Sequence, residues 1–407
     1  MTIRATRRRF LSALGTAGVG LGVGARPGQA AAGSHDARAA AAEPFYGAHQ
    51  PGIATPSQEH LQFASLDMLS RARSDLQAVL AELSAAAARI MRGQPVGALS
   101  NGFQPPVDTG EALGLGPARV TVTFGLGPSI FQPGRFGLTS RRPAPLVHLP
   151  HFAGDALVSE WSGGDIGIQV CAEDPQVAFH AVHDLVRLAS PTATPRWILG
   201  GAGKTSNSRR QGTPRNLMGF KDGTANIMVE DHAAMNRFVW TGAPESPAWM
   251  HGGSYMVVRR INMLFGHWDE LDLAGQEAVF GRHKVSGAPL GGVHEHDPLD
   301  LHARSHGRLV IPGDAHVRRA SPALNQGERI LRRGYSYMLG LDADTATVAG
   351  GQLFICFQRD PRRQFIPINR RLQGEALAAH TEHVGSAIFA CPPGARPGGY
   401  VGEGLFS

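Results

Sequence analysis

The sequence has little cysteine. Among its 407 residues only Cys171, Cys356 and Cys391 are cysteines, and none stands in a CxxC or CxxCH pattern. Three cysteines are too few for a disulfide framework, and their spacing argues against a zinc finger and against a c-type cytochrome. Because Cys171 and Cys356 lie within apolar runs, we expect them to be small buried side chains.

Long apolar runs and lysine are also scarce. Past the N-terminus there is no run of about 18 apolar residues, the length a membrane-spanning helix needs, which predicts a soluble mature protein without stable membrane insertion. Lys204, Lys221 and Lys284 are the only lysines, so the net charge of +6 and the pI of about 9.6 come mainly from arginine. The arginines are scattered rather than gathered with aromatics in a basic tract, which disfavours nucleic acid as a partner.

The first 42 residues have the features of an export signal. Residues 6–11 read TRRRFL, a Gly- and Ala-rich apolar run follows to about Val23, and residues 29–32 read QAAA. This order of charge, apolar run and small residues is typical of a signal peptide, and the consecutive arginines resemble the twin-arginine signal. We expect residues 1–42 to be signal and spacer, and the mature protein to be periplasmic or extracellular. That pathway carries folded proteins, commonly with their cofactor already bound.

The remaining chain alternates strand-like and helix-like segments. The chain is longer than one hydrophobic core usually accommodates, which favours two domains or two duplicated halves. We predict an α+β fold with an N-terminal half at residues 43–215 and a C-terminal half at residues 216–407. A similar order of strands and helices in both halves suggests two ferredoxin-like units packed together, of the dimeric α+β barrel type.

The periodicity of apolar residues places the individual elements. In the first half it predicts, in chain order, a helix at 66–91, strands at 120–125 and 166–172, and a helix at 175–188. In the second half it predicts a strand at 254–263, a helix at 268–279, strands at 335–339 and 353–357, and a helix at 372–381. Residues 200–216, rich in Gly, Ser, Asn and Arg, are predicted to be a long surface connection.

Three segments carry the candidate chemistry. Residues 219–226 read GFKDGTAN, where two glycines around Asp222 permit a tight turn that approaches a flat ligand closely and leaves the carboxylate beside it. Residues 311–320 read IPGDAHVRRA, with His316, and residues 329–337 read RILRRGYSY, with Arg332 and Arg333. Taken singly, each segment has an ordinary explanation. The first is explained as a turn, the second as a histidine without special function, and the third as arginines exposed to solvent.

Together and in this order, the three segments resemble the dye-decolourising (DyP-type) haem peroxidases, and among them the exported branch that includes deferrochelatase-like proteins. The resemblance extends to residues 45–53 (FYGAHQPGI), 281–284 (GRHK) and 353–359 (LFICFQR), and so to nearly all of the mature chain. It implies one non-covalent haem b per chain, with hydrogen peroxide and an organic reductant, such as a dye or a phenol, as substrates.

The resemblance also implies the site residues. It identifies His316 as the iron ligand, Asp222 as the distal carboxylate and Arg332, rather than Arg333, as the distal arginine. It places Gly223, Thr224 and Ala225 along the haem edge or face. Arg282 is the residue expected to meet a haem propionate.

These residue types suit a reaction with peroxide. A carboxylate such as Asp222 can carry the peroxide proton from one oxygen to the other, and Arg332 supplies positive charge where negative charge develops as the O–O bond breaks. The implied ferryl intermediate would return to ferric iron by two one-electron reductions. An unperturbed aspartate titrates near about 4 and a histidine near about 6.5, so we expect an acidic optimum.

Two details stay open at this stage. A carboxylate on the second ring nitrogen of the iron ligand would make it a more electron-rich donor, and the candidates are Asp314, Asp360 and Glu382. Aromatic side chains at the surface would relay electrons from bulky reductants, although packing is the simpler explanation of these residues. The available aromatics are Trp240, Trp249, Tyr335 and Tyr337.

Three other functions compete with a peroxidase. A deferrochelatase would release iron from haem for iron uptake, with His316 binding a transient guest. A non-catalytic α+β binding module would use the motifs for folding alone. A chlorite-dismutase-like enzyme would share the two ferredoxin-like units but not the Asp222 motif. The sequence leaves open whether the chain forms a homodimer and whether it has partners in iron uptake.

Overall fold

The structure is a computed structural model that describes residues 41–99, 102–343 and 345–407. The predicted signal and spacer at residues 1–42 lies outside the described residues except for its last two. None of the helices described is both long enough and apolar enough to cross a membrane.

The helices are α1 (Arg73–Ile90), α2 (Pro175–Ala189), α3 (His232–Phe238), α4 (Phe265–Asp269), α5 (Leu273–Phe280), α6 (His316–Ala320) and α7 (Phe365–Leu372). The strands are β1 (His60–Met68), β2 (Thr121–Leu126), β3 (Ile166–Ala172), β4 (Ala193–Lys204), β5 (Ser254–Met263), β6 (Arg304–Ser305), β7 (Arg308–Leu309), β8 (Leu331–Arg332), β9 (Tyr335–Asp342), β10 (Thr347–Gln358) and β11 (Thr381–Cys391).

The longer strands close into a ring. Hydrogen-bonded neighbours follow the order β5, β11, β2, β3, β1, β4, β9 and β10, and β10 pairs again with β5. Each of these pairings is antiparallel. The short β8 pairs with the end of β10, while β6 and β7 form a separate hairpin.

The two predicted halves contribute four strands each to the ring. In the first, the spatial order is β2-β3-β1-β4, and in the second it is β9-β10-β5-β11. Numbered within each half, both orders are second, third, first and fourth, which is the arrangement of a ferredoxin-like unit. The prediction of an α+β fold built from ferredoxin-like units is therefore confirmed.

Side chains from the strands meet inside the ring in one apolar cluster. Its buried members include Phe63 of β1, Trp197 of β4, Val258 of β5, Ile355 of β10 and Phe389 of β11. Cys171 and Cys356 are both buried, as predicted, and they belong to the apolar core.

Several element boundaries differ from the sequence-based predictions. Leu66 belongs to strand β1, and the first helix begins only at Arg73. The helix predicted at 268–279 is two helices, α4 and α5, because Asp272 caps the second one by accepting a hydrogen bond from the Gly275 N–H at 2.7 Å. The helix predicted at 372–381 is wrong, since α7 ends at Leu372 and a 3-10 turn follows at Ala376–His380.

The glycine-rich start of the segment predicted as a connection, residues 200–216, is a strand instead. Residues 200–204 complete strand β4, which pairs with β1 on one side and β9 on the other. Glycine suits this position because a Cβ at Gly201 would lie 2.9 Å from the Ser336 carbonyl oxygen. Only the rest of the segment is a connection.

We expect Gly351→Ala to destabilise the protein. Gly351 of β10 lies between β5 and β9, and a Cβ there would collide with the Ile261 carbonyl oxygen and lie 2.6 Å from Tyr337 Oη. The expected loss is about 1–3 kcal/mol in the free energy of unfolding, measured by denaturant titration. Gly212→Ala is the matched control, because a Cβ at Gly212 has no atom within 4 Å. Equal stability of the two variants would contradict this account.

Candidate active site

One cavity of about 330 Å³ is lined by every residue for which the sequence predicts a role in the site. Its volume lies within the range of small-molecule sites. Much of its wall is apolar, with contributions from Ile261, Met263, Phe280, Val317, Phe354 and Leu372. A second groove, of about 560 Å³, contains none of the predicted site residues.

His316 is the first residue of α6 and is 34 % exposed while lining the cavity. Its ring Nδ1 lies 2.7 Å from Glu375 Oε2, so Nδ1–H donates to the carboxylate and Nε2 is the nitrogen left for a ligand. Burial by itself lowers the pKa of His316, but the charge and hydrogen bond of Glu375 outweigh it, and the pKa is raised. The imidazole is therefore oriented and made electron-rich by one carboxylate.

Glu375 was not among the partners that the sequence suggested for His316. It follows α7, where its segment is fastened to the His316 segment by a 3.0 Å hydrogen bond from the Ala376 N–H to the Asp314 carbonyl oxygen. The Asp360 carboxylate instead bonds Arg362, and Glu375 is the carboxylate within hydrogen-bond distance of His316 among the described residues. The candidates Asp314, Asp360 and Glu382 are therefore wrong.

Asp222 lies in the predicted turn and is nearly buried, with 8 % exposure. Its Oδ1 accepts a hydrogen bond from Arg332 Nη1 at 2.5 Å. Its Oδ2 accepts two more, from Thr205 Oγ1 at 3.0 Å and from Gln352 Nε2 at 2.8 Å. The carboxylate is thus held by one charged donor and two neutral donors, and neither neutral donor was predicted from the sequence.

Arg332 and Arg333 point to different surroundings. Arg332 lies in β8, lines the cavity and pairs with Asp222. Arg333 is fully buried and donates to the Thr55 carbonyl oxygen and to the Gln58 side chain, away from the cavity lining. Of the two, Arg332 is therefore the arginine that meets Asp222.

The turn after Asp222 depends on glycine. Gly223 has φ +128°, and a Cβ there would collide with the side chain of Ser206 and lie 2.8 Å from its carbonyl oxygen. Thr224 and Ala225 also line the cavity, and the Thr224 hydroxyl donates to Glu295 Oε1 at 3.0 Å. The backbone of this turn consequently forms part of the cavity wall.

Arg282 lines the same cavity. Its Nη1 donates to the carbonyl oxygens of Gly287 and Glu295, at 2.7 and 3.0 Å, and burial lowers its pKa, partly offset by Glu295. Arg329, which is not among the site residues predicted from the sequence, also lines the cavity. Both guanidinium groups place positive charge beside an otherwise largely apolar space.

The four aromatic residues considered as surface relays are buried. Tyr335 and Tyr337 in β9 are 0 % and 3 % exposed, and Trp240 and Trp249 are 8 % and 7 % exposed. Tyr337 donates its hydroxyl proton to Asn262 Oδ1 at 2.6 Å. These side chains pack in the core and do not present a surface contact to a bulky reductant.

The residues around the cavity fit the predicted haem. Nε2 of His316 has no hydrogen-bond partner among the described residues, as a nitrogen that binds iron requires. Apolar walls suit the macrocycle, while Arg282 and Arg329 provide cations for its two carboxylates. The Asp222–Arg332 pair adds polar groups at the same cavity.

Comparison with known proteins gives consistent results. The sequence models of the Dyp-type peroxidase family match residues 50–201 with the N-terminal part and residues 213–396 with the C-terminal part. The dye-decolorizing peroxidase of Thermobifida fusca (strain YX) is 42% identical, over 98% of this chain and 97% of that protein. The deferrochelatase of Escherichia coli (strain K12) is 36% identical, over 89% of this chain and 87% of that protein.

Solved structures extend the similarity to the fold. Ferric DtpA from Streptomyces lividans is 40% identical, with a TM-score of 0.83 over 91% of this chain and 99% of that one. A DyP-type peroxidase from Cellulomonas bogoriensis is 39% identical, with a TM-score of 0.82 over 91% of this chain and 99% of that one. Taken with the family matches to both halves, these similarities show that the chain belongs to the Dyp-type peroxidase family, as its motifs predict.

Proposed function

We propose that this chain is a haem b peroxidase that uses hydrogen peroxide to oxidise dyes, phenols or other organic reductants. The observation that carries the proposal is that two charge-assisted pairs, His316–Glu375 and Asp222–Arg332, line one cavity. When bound there, haem supplies the iron that exchanges electrons with peroxide and with the reductant. The other steps fall to the side chains of the chain.

His316 is the residue we assign to the iron. Its Nδ1–H is engaged by Glu375, so Nε2 is the ligand atom, and the carboxylate both fixes the ring orientation and increases the basicity of the imidazole. A more basic ligand donates more electron density. This favours the oxidised states of the cofactor over the reduced state.

Asp222 is the residue we assign to proton transfer. Peroxide must lose a proton from one oxygen and gain one on the oxygen that leaves, and a single carboxylate can do both. Oδ2 already accepts from Thr205 and Gln352, whereas Oδ1 accepts from Arg332 alone among the described residues. Oδ1 therefore has a lone pair left and is the oxygen expected to take the peroxide proton.

Arg332 is the residue we assign to charge stabilisation. Its guanidinium carries a positive charge and is held at the cavity by Asp222. Negative charge builds up on the departing peroxide oxygen, and a fixed donor of opposite charge lowers the energy of that state. Arg332 and Asp222 consequently act as a unit.

Release of iron from haem is a second candidate function. It is favoured by the 36% identity to deferrochelatase over most of the chain, and it would give the chain partners in iron uptake. Incubation of the haem-loaded protein with peroxide and a dye separates the two candidates. Bleaching of the dye supports the peroxidase, and accumulation of metal-free porphyrin supports iron release.

We also propose that the chain is exported by the twin-arginine pathway, and the support is the TRRRFL segment followed by an apolar run. Replacement of Arg7, Arg8 and Arg9 by lysine is expected to leave the full-length protein in the cytoplasm. Cell fractionation and immunoblotting would measure this. Unchanged export of the lysine variant would refute the proposed route.

We expect Asp222→Asn to lower the rate of peroxide-dependent dye oxidation by about 10²–10⁴-fold, because the amide cannot carry the proton. Arg332→Leu is expected to lower it by about 10²–10³-fold through loss of the charge. Stopped-flow measurement of peroxide consumption and dye bleaching, at equal haem content, would give these rates. The wild-type rate should be highest at acidic pH, because a carboxylate base, unlike an imidazole, stays unprotonated there.

The matched control for these variants is Asp269→Asn, the same substitution at an exposed position in α4. It should leave both the rate and the pH profile unchanged. A full rate in Asp222→Asn, or a wild-type optimum at neutral pH that Asp222→Asn retains, would contradict the assignment of proton transfer to Asp222.

We expect Glu375→Gln to raise the reduction potential of the haem-loaded protein, because an amide makes His316 less electron-rich than a carboxylate does. Activity should fall by about 10–100-fold. Spectroelectrochemical titration would measure the potential directly. Glu382→Gln is the control, since Glu382 does not contact His316; a similar shift in both variants would argue against a specific role of Glu375.

A further inference from the structure

A group of buried titratable side chains lies in the N-terminal half, away from the cavity. It comprises Asp108, in the connection before β2, and His180 and Asp184, which are one turn apart on α2. We call these three residues the loop–helix cluster. Their exposures are 1 %, 5 % and 0 %, and none of them lines the cavity that contains His316.

The three side chains converge on a point. His180 Nε2 lies 3.7 Å from Asp108 Oδ2 and 3.6 Å from Asp184 Oδ2, and the three candidate ligand atoms all lie within 4.8 Å of one another. Two ligands bound tetrahedrally to one zinc ion at about 2.0–2.2 Å are roughly 3.3–3.6 Å apart. The two separations from His180 Nε2 are thus close to those across a bound ion, and longer than a direct hydrogen bond.

The tautomer of His180 makes the cluster electrostatically incomplete. Nδ1 lies 2.9 Å from Glu111 Oε2. When Nδ1–H donates to Glu111, a neutral His180 directs its Nε2 lone pair at two carboxylates. Asp184 Oδ2 is buried and has no hydrogen-bond partner. A buried anionic oxygen without a partner is costly, and a cation between these atoms would remove the cost.

The remaining bonds hold the candidate ligands in place. Asp108 accepts from the backbone N–H groups of Val96 and Gly110, at 2.7 and 2.9 Å. Asp184 Oδ1 accepts from the Thr109 N–H at 3.1 Å. Each carboxylate is therefore fixed to the backbone. Asp184 Oδ2 carries no hydrogen bond, whereas Asp108 Oδ2 already accepts from Val96 and would bind an ion through its second lone pair.

We propose that Asp108, His180 and Asp184 bind one divalent transition-metal ion, for which zinc is the best match. One imidazole nitrogen and two carboxylate oxygens are ligands that Zn²⁺ accepts, with a fourth position left for water. Glu111 takes the role of the carboxylate that orients a metal-bound imidazole. The ion would fasten the connection before β2 to α2, so its role is structural and independent of the peroxidase site.

Metal analysis of the full haem-loaded protein tests this directly. The protein is stripped with EDTA, incubated with Zn²⁺, desalted and analysed by mass spectrometry for zinc and iron separately. We expect about one zinc per chain in addition to the haem iron. Isothermal titration of the stripped protein with Zn²⁺ should show one site, and the melting temperature should rise on adding Zn²⁺.

Variants identify the ligands. Asp184→Asn and His180→Asn should weaken zinc binding by more than about 100-fold and abolish the rise in melting temperature. His183→Asn is the matched control, because His183 lies on the same helix and bonds Glu111 through Nδ1 at 2.7 Å but is not in the cluster. It should bind zinc like the wild type.

Two results would overturn the proposal. One is the absence of a stoichiometric site in the stripped wild-type protein. The other is equal zinc binding by the wild type and Asp184→Asn, which would place the ion elsewhere. The wild-type titration decides the question even where a variant fails to fold.

Discussion

The register of β10 is the constraint on which the site depends. β10 pairs with β5 along one edge and with β9 and then β8 along the other. Gln352 of this strand donates to Asp222, and the pairing of Cys356 with Arg332 fixes β8, from which the guanidinium reaches the same carboxylate. Because side chains alternate between faces, a slip of one residue would turn Gln352 away. The same register therefore closes the ring and places the side chains of the site.

The sequence predicts those parts of the molecule that depend on local pattern. Strands β3 and β5 begin and end where the alternation of apolar residues indicates. The glycines that flank Asp222 predict its tight turn, and the conformation of Gly223 explains why that signal is informative. The role of Asp222 came from the family resemblance. His316 was identified by its position between two other motifs, since a histidine alone says little about its partners. For the two strands and the turn, a short segment carries its own physical signature.

The parts that were missed depend on contacts between distant segments. Glu375 is 59 residues from His316, and nothing in its neighbourhood distinguishes it from other glutamates of the chain. Thr205 and Gln352 meet Asp222 only because β4 and β10 are brought together through β9. The glycines at the end of β4 look like a loop because their strand character comes from neighbours on both sides. Pairings of this kind are set by the topology of the sheet, and the local periodicity of the sequence does not predict them.

The closed ring has a consequence for the tendency of the protein to aggregate. An open sheet presents unpaired N–H and C=O groups along its outer strands, and those groups can recruit strands from other chains. In the ring described above, each of the eight strands has neighbours on both sides. The export route proposed above would require a folded, cofactor-loaded chain that does not aggregate before transport. Its architecture removes the most direct route to that failure.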